Sequence, residues 1–169
     1  MVDPLEQYRP KQRTLARSVL DRLLDDAPDM ENDPPASLSD QVREMREVIR
    51  RDLESLLNPG RNPAGPPADF KELSDALVSY GVDGILSANL VTDASKAKLA
   101  NTIERRISMF ETRLSDVRVT IMKNRNDGDR ALRMRIQATF RLHEGMPPIG
   151  FESKIDPSTQ RFLVETANG

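Results

Sequence analysis

Residues 99–121 read LANTIERRISMFETRLSDVRVTI, and within them the apolar rhythm changes period. Leu99, Ile103, Ile107, Phe110 and Leu114 recur at steps of four, four, three and four, which is one face of a helix. Val117, Val119 and Ile121 then alternate with Arg118, Thr120 and Met122, the two-residue rhythm of a strand with one buried face. Burying that helical stripe is worth roughly 7 to 15 kcal/mol before entropy is counted, so the stretch predicts a core helix running directly into a sheet. Between the two periods stand Phe110, Glu111, Thr112, Arg113 and Leu114, with opposite charges flanked by apolar residues where the backbone leaves the helix.

Downstream, a first strand over Val117–Lys123 runs into Asn126, Asp127 and Gly128, a hairpin signal because Asp-Gly tolerates positive φ. Leu132, Met134, Ile136, Ala138, Phe140 and Leu142 then alternate with Arg133, Arg135, Gln137, Thr139 and Arg141, predicting a second strand whose outward face is basic. Gly145 to Pro148 breaks the sheet; Ile149, Phe151 and Ile155 predict a third strand, and Asp156, Pro157 and Ser158 turn the chain into a fourth over Arg161–Thr166. That last segment, RFLVET, carries only Arg161 and Glu165 as charges and no proline, so it reads as an unprotected edge. Leu163 and Val164 are the positions at which an added strand would pair, one of the two facing outward.

Upstream, residues 1–13 are polar and contain Pro4 and Pro10, which predicts a flexible arm before a single domain over 14–169. Thr14 can cap a helix with Leu15, Val19, Leu20, Leu23 and Leu24 on one face, followed by an acidic loop from Ala27 to Pro35. Ser37 and Asp40 then open a helix through Leu57 with Val42, Met45, Ile49, Leu53 and Leu56 inward. The pairs Arg43 with Glu47 and Arg50 with Glu54 on its other face speak for solubility. Asn58 to Ala68 forms a proline-rich linker, and Asp69 caps a short helix with Phe70, Leu73, Leu77 and Val78 inward, closed by Tyr80 and Gly81. Residues 85–91 fit either periodicity, and Thr92 or Asp93 caps the core helix. Helices followed by antiparallel strands make an α+β fold, with the N-terminal helices packed on one face of a small antiparallel sheet formed by the C-terminal half.

The chain has 169 residues, enough for one core. Its net charge of -2 excludes a polybasic nucleic-acid binder, yet the charge is uneven: residues 1–91 hold 11 basic and 17 acidic side chains, residues 92–169 hold 14 and 10. The absence of cysteine excludes disulfides and thiolate chemistry. No apolar run suits a signal peptide or a membrane span, so a cytoplasmic protein without membrane insertion is expected. His143 is the one histidine, which leaves no triad and no histidine metal site; the glycines form no phosphate-cradling loop, and no cofactor is expected.

Several stretches resemble one family in order. FETRL is similar to the phenylalanine, glutamate, proline, arginine, leucine signature of the baseplate-wedge family shared by contractile phage tails and type VI secretion systems. SVLDRL (Ser18 to Leu23), RDLESLLN (Arg51 to Asn58), SYGV (Ser79 to Val82) and the C-terminal GFESKIDPSTQRFLVE resemble its opening helix, second helix, tyrosine-glycine turn and closing strands. Thr112 stands where the family usually has proline. The type VI members of the TssE kind are the nearest in pattern. The resemblance implies a non-enzymatic baseplate component in a membrane-docked assembly, with other wedge subunits (TssF, TssG, TssK) and contractile sheath subunits (TssB, TssC) as partners. It further implies that the closing strands start the sheath's interlaced sheet. Partner-binding candidates are Glu111, Arg113, Arg133, Arg135, Arg141, Leu163 and Val164. Glu111 and Arg113 read either as an intramolecular pair pinning the corner or as a pair reaching into a neighbouring subunit.

The family has at times been labelled lysozyme-like, and a hydrolase would need two carboxylates about 5 to 10 Å apart, one with a raised pKa. Glu111 with Asp116 is the available couple, but Arg113 beside Glu111 favours the ionised state, which is wrong for a general acid. The alternatives to a structural subunit are therefore a regulatory adaptor module of the same fold and a peptidoglycan hydrolase.

Overall fold

Ser37 accepts a hydrogen bond from the backbone N–H of Asp40 at 3.1 Å and so opens α1 (Leu38–Leu57) in the computed structural model. The structure describes residues 23, 28–29, 37–58, 69–70, 72–73, 76–82, 92–123, 132–141, 148–155, 159 and 161–167. The 1–13 arm, the Asn126–Gly128 turn, residues 85–91 and His143 lie outside them, as does the expected first helix except for Leu23, which is helical and exposed. In α1 the expected stripe of Val42, Met45, Ile49, Leu53 and Leu56 is buried. Thr92 caps α2 (Asp93–Phe110), accepting from the Ser95 N–H at 3.1 Å, and Leu99, Ile103 and Ile107 are buried along it.

Four strands follow, β1 (Leu114–Met122), β2 (Arg133–Phe140), β3 (Ile149–Ile155) and β4 (Phe162–Thr166), paired antiparallel in chain order. The fold is α+β. Register explains the core: Val119 lies opposite Ile136 and Ile136 opposite Phe151, while Met134 lies opposite Ser153 and Ser153 opposite Val164. Residues opposite one another share a face, so the apolar positions of all four strands form one surface, and the buried residues of both helices belong to the same core.

Three expectations are corrected. Leu114 is not the last residue of the helical stripe but the first of β1, buried by the sheet, so the strand begins earlier than Val117. The register steps from Ser115 opposite Thr139 to Arg118 opposite Gln137, which sets Asp116 and Val117 together against Ala138. This β-bulge puts Asp116 at φ 52°, a left-handed conformation that aspartate tolerates, and it lets Leu114 and Val117, three apart, both face the core. The short inward-facing helix after Asp69 is likewise not formed as expected. A 3-10 turn at Leu77–Ser79 stands there, with Phe70 56% and Leu77 81% exposed. Gly81 does take the positive φ of a chain reversal, 99°. Finally, Arg43 pairs with Asp40 rather than Glu47.

The bulge gives a test. Asp116→Val should cost about 1–2 kcal/mol because a β-branched side chain is strained in the left-handed region, whereas Asp116→Gly should cost far less. Urea midpoints of the two variants measure the difference, and equal midpoints would mean that the bulge relaxes without penalty.

Candidate assembly site at the helix-to-strand corner

At the end of α2 the Glu111 N–H still donates to the Ile107 carbonyl at 2.8 Å, but Glu111 itself has left the helix at φ -104°, ψ 80°. Its side chain turns inward and the residue is only 6% exposed. A carboxylate removed from water costs several kcal/mol unless it is paired and hydrogen-bonded. Arg113 supplies both. Its Nε donates to Glu111 Oε1 at 2.6 Å, its Nη2 donates to Oε2, and its backbone N–H donates to Oε1 at 3.2 Å. The fork is bidentate, the geometry in which guanidinium and carboxylate bind most strongly. It holds Glu111 in its non-helical conformation at the end of α2, with threonine at position 112.

The same Nη2 donates to Asp52 Oδ2 of α1 at 2.5 Å. Asp52 and Glu111, from two helices, thus meet on one guanidinium. Burial alone would lower the pKa of Arg113, but the hydrogen bonds and negative charges of Glu111 and Asp52 outweigh it and hold the group above its ordinary value. Tyr80 closes the corner from the turn before Gly81. Its ring stands edge-on to Phe110, centroids 5.2 Å apart, and burial, then the charges of Asp52 and Glu111, push its phenol pKa up. Just past β2, Arg141 donates its backbone N–H to the Arg113 carbonyl at 2.9 Å and its Nε to the Leu114 carbonyl at 3.3 Å.

The sequence-derived candidates therefore separate into three places. Glu111, Arg113 and Arg141 come together at the corner, and the pair is intramolecular, completed within the chain. Arg133 and Arg135 lie on the sheet face opposite the core, where Arg135 pairs with Glu152 of β3 at 2.7 Å. Arg141 stands one residue past the end of β2, is exposed and bonds the corner backbone. Leu163 of β4 is 51% exposed, and Val164 is buried.

The expectation of a bare β4 edge is also corrected. Val164 donates its N–H to Glu54 Oε2 at 3.2 Å and accepts from Arg50 Nη1 at 3.1 Å; Phe162 donates its N–H to Asn58 Oδ1 at 2.8 Å and accepts from Asn58 Nδ2 at 3.0 Å. Arg50 and Glu54 are thus structural ligands of the sheet as well as solubilising charges. Sequence reasoning missed Asp52 and Tyr80 as corner residues. Asp52 lies 61 positions from Arg113 among the charges of α1, with nothing local to single it out.

Chemically, a carboxylate gripped on both oxygens by one guanidinium is not placed to donate a proton, and Asp116 sits at the exposed bulge. Among the described residues no cluster of histidine, cysteine, aspartate or glutamate is arranged to hold a metal. The corner instead does mechanical work, tying α1 to the α2–β1 junction. Arg113→Ala leaves Glu111 buried and unpaired and should cost about 3–5 kcal/mol of unfolding free energy, with Arg113→Lys recovering only part for want of the fork. Urea denaturation measures it; a loss below about 1 kcal/mol would place the pair among weak surface contacts.

A family model described as baseplate wedge protein gp25 matches residues 43–144, more than half of the chain, from α1 through the corner to the end of β2. Searches of curated proteins and of solved structures return no match. With the family's span laid over the Asp52–Arg113–Glu111 corner and the strands that follow it, the chain belongs to the baseplate wedge protein gp25 family.

Proposed function

We propose that this chain is a structural wedge subunit of a type VI secretion baseplate, of the TssE kind, and that it works by adhesion and templating rather than by catalysis. Membership of the wedge family carries this reading. The ordered likeness of FETRL, SYGV and the closing strands to type VI members supports the finer assignment. Its partners are then the wedge subunits TssF, TssG and TssK and, at the sheath end, TssB and TssC. It acts in the cytoplasm within a membrane-docked assembly. Among the described residues no helix is long and apolar enough to cross a membrane, which agrees with attachment through partners.

The surfaces assigned to assembly are the rim of the corner around Glu111, Arg113 and Arg141, the sheet face bearing Arg133 and Arg135, and the β4 segment around Leu163 and Val164. Residues 14–169 act as one domain, with the 1–13 arm as an auxiliary contact.

Co-expression with TssF, TssG and TssK should yield a complex that survives purification, and failure to co-purify with any wedge subunit would favour the adaptor reading. Within that complex, Arg135→Glu should weaken capture about tenfold or more, since reversing a rim charge opposes an acidic partner. The fold should change by less than about 1 kcal/mol, because the Arg135–Glu152 pair is solvent-exposed. Unchanged capture would remove the basic face from the interface. Purified protein should clear no peptidoglycan in a zymogram.

A further inference from the structure

The bonds on β4 form a pattern that a packing contact does not require. In an antiparallel ladder alternate residues direct both backbone groups to one neighbour. Leu163 and Glu165 face β3, opposite Lys154 and Glu152, so Phe162 and Val164 present their N–H and C=O groups to the free edge. All four of these groups are taken by side chains of α1 and of Asn58, which caps its C-terminus, at 2.8 to 3.2 Å. The Asn58 amide stands in for one peptide unit, and the Arg50–Glu54 pair, itself closed at 3.0 Å, stands in for another. A fifth strand would need those same positions.

The segment so covered fits a second copy of itself. Laid antiparallel about Leu163, RFLVET sets Phe162 opposite Val164 and Arg161 opposite Glu165, so the outward backbone groups coincide and opposite charges meet at both ends. An open groove of about 420 Å³, lined in part by Glu54, Asn58, Lys154, Arg161, Phe162 and Leu163, lies at the Phe162 end of this edge. The α1 side chains and the Asn58 amide occupy the pairing positions along this edge. The anchor of α1 is separate, since Ile49, Leu53, Leu56 and Leu57 hold it in the core while Arg50 and Glu54 remain partly exposed. Uncovering the strand requires the Arg50 and Glu54 side chains to rotate away and the end of α1 that carries Asn58 to move aside.

We infer that Arg50, Glu54 and Asn58 form a removable edge lock, which keeps β4 from pairing with β4 of a second copy and leaves that edge to be opened when a partner strand replaces the lock. The inference rests on the strand-addition part of the proposed function for its use in the cell. Its test uses this chain alone, so failure of the lock and failure of the baseplate reading are told apart.

The test is amide hydrogen exchange by NMR with sedimentation over a concentration series, on the full chain and its variants. In the unaltered protein the Phe162 and Val164 amides should be protected and the chain monomeric. Glu54→Ala with Asn58→Ala should speed exchange at these two amides about tenfold or more at low concentration, leaving Leu163 and Glu165 protected. The same variant should self-associate as concentration rises and bind a synthetic RFLVET peptide that the unaltered protein does not. Adding Val164→Pro, which removes a donor from the open edge without removing one from the β3 ladder, should abolish self-association. Glu54→Gln, still able to accept from Val164, should stay locked. Should the double variant not fold, Asn58→Ala alone decides: faster exchange at Phe162 but not at Leu163 supports the lock. Equal acceleration at all four amides, or none, overturns it, as does peptide binding to the unaltered protein equal to that of the unlocked one.

Discussion

A guanidinium withdrawn from water must be met by negative charge in the right geometry, and at Arg113 two helices meet that demand together. Glu111 comes from the end of α2 and Asp52 from the middle of α1, and neither would be stable at the corner without Arg113 between them. The ion cluster therefore fixes where α1 lies relative to the α2–β1 junction. Because the Arg113 carbonyl also accepts from Arg141, the same residue secures the far end of β2. Forming the cluster from solvated charges gains little net free energy, although removing one partner is costly because it strands a buried charge. The cluster's contribution is positional, since apolar surfaces slide past one another more readily than a bidentate ion pair exchanges partners.

A second constraint follows from the sheet being open. A four-stranded meander has two edges, and the backbone groups on each need partners or water. Here helix side chains supply partners along β4 and at one position of β1. Glu104 of α2 accepts from the Val119 N–H of β1 at 2.8 Å, while Arg50, Glu54 and Asn58 of α1 cover Phe162 and Val164 of β4. The helices thus bury the apolar face, and α1 also blunts the β4 edge. For a subunit that assembles with others, the difference between a covered and an open edge is the difference between a soluble monomer and a template.

The α+β class, both long helices and all four strands could be read directly from residue spacing, because period 3.6 and period 2 are backbone properties that any local window displays. The stripe Val42, Met45, Ile49, Leu53 and Leu56 and the alternation from Met134 to Phe140 needed nothing distant to be interpreted. Reading failed where the period was locally ambiguous. Leu114 is four residues after Phe110 and three before Val117, a helical spacing, yet a bulge at Asp116 turned it into the first strand residue. Phe70 and Leu77 had the spacing of an inward face, but a short turn among prolines and glycines has no regular face to bury.

The charged residues divide along the same line. Sequence by itself determined that Glu111 and Arg113 stand at a junction and that opposite charges two apart can pair, since both follow from local geometry. It could not say that Asp52 would complete the cluster, that Arg141 would bond the corner backbone, or that Asn58 would bond a strand 104 residues away. Those contacts come into being only when the apolar faces of α1, α2 and the sheet are stacked and the polar rims of each are carried into register. Hydrophobic burial is non-directional and legible as pattern, whereas hydrogen bonds and ion pairs depend on angle and distance. Only the tertiary structure could set these.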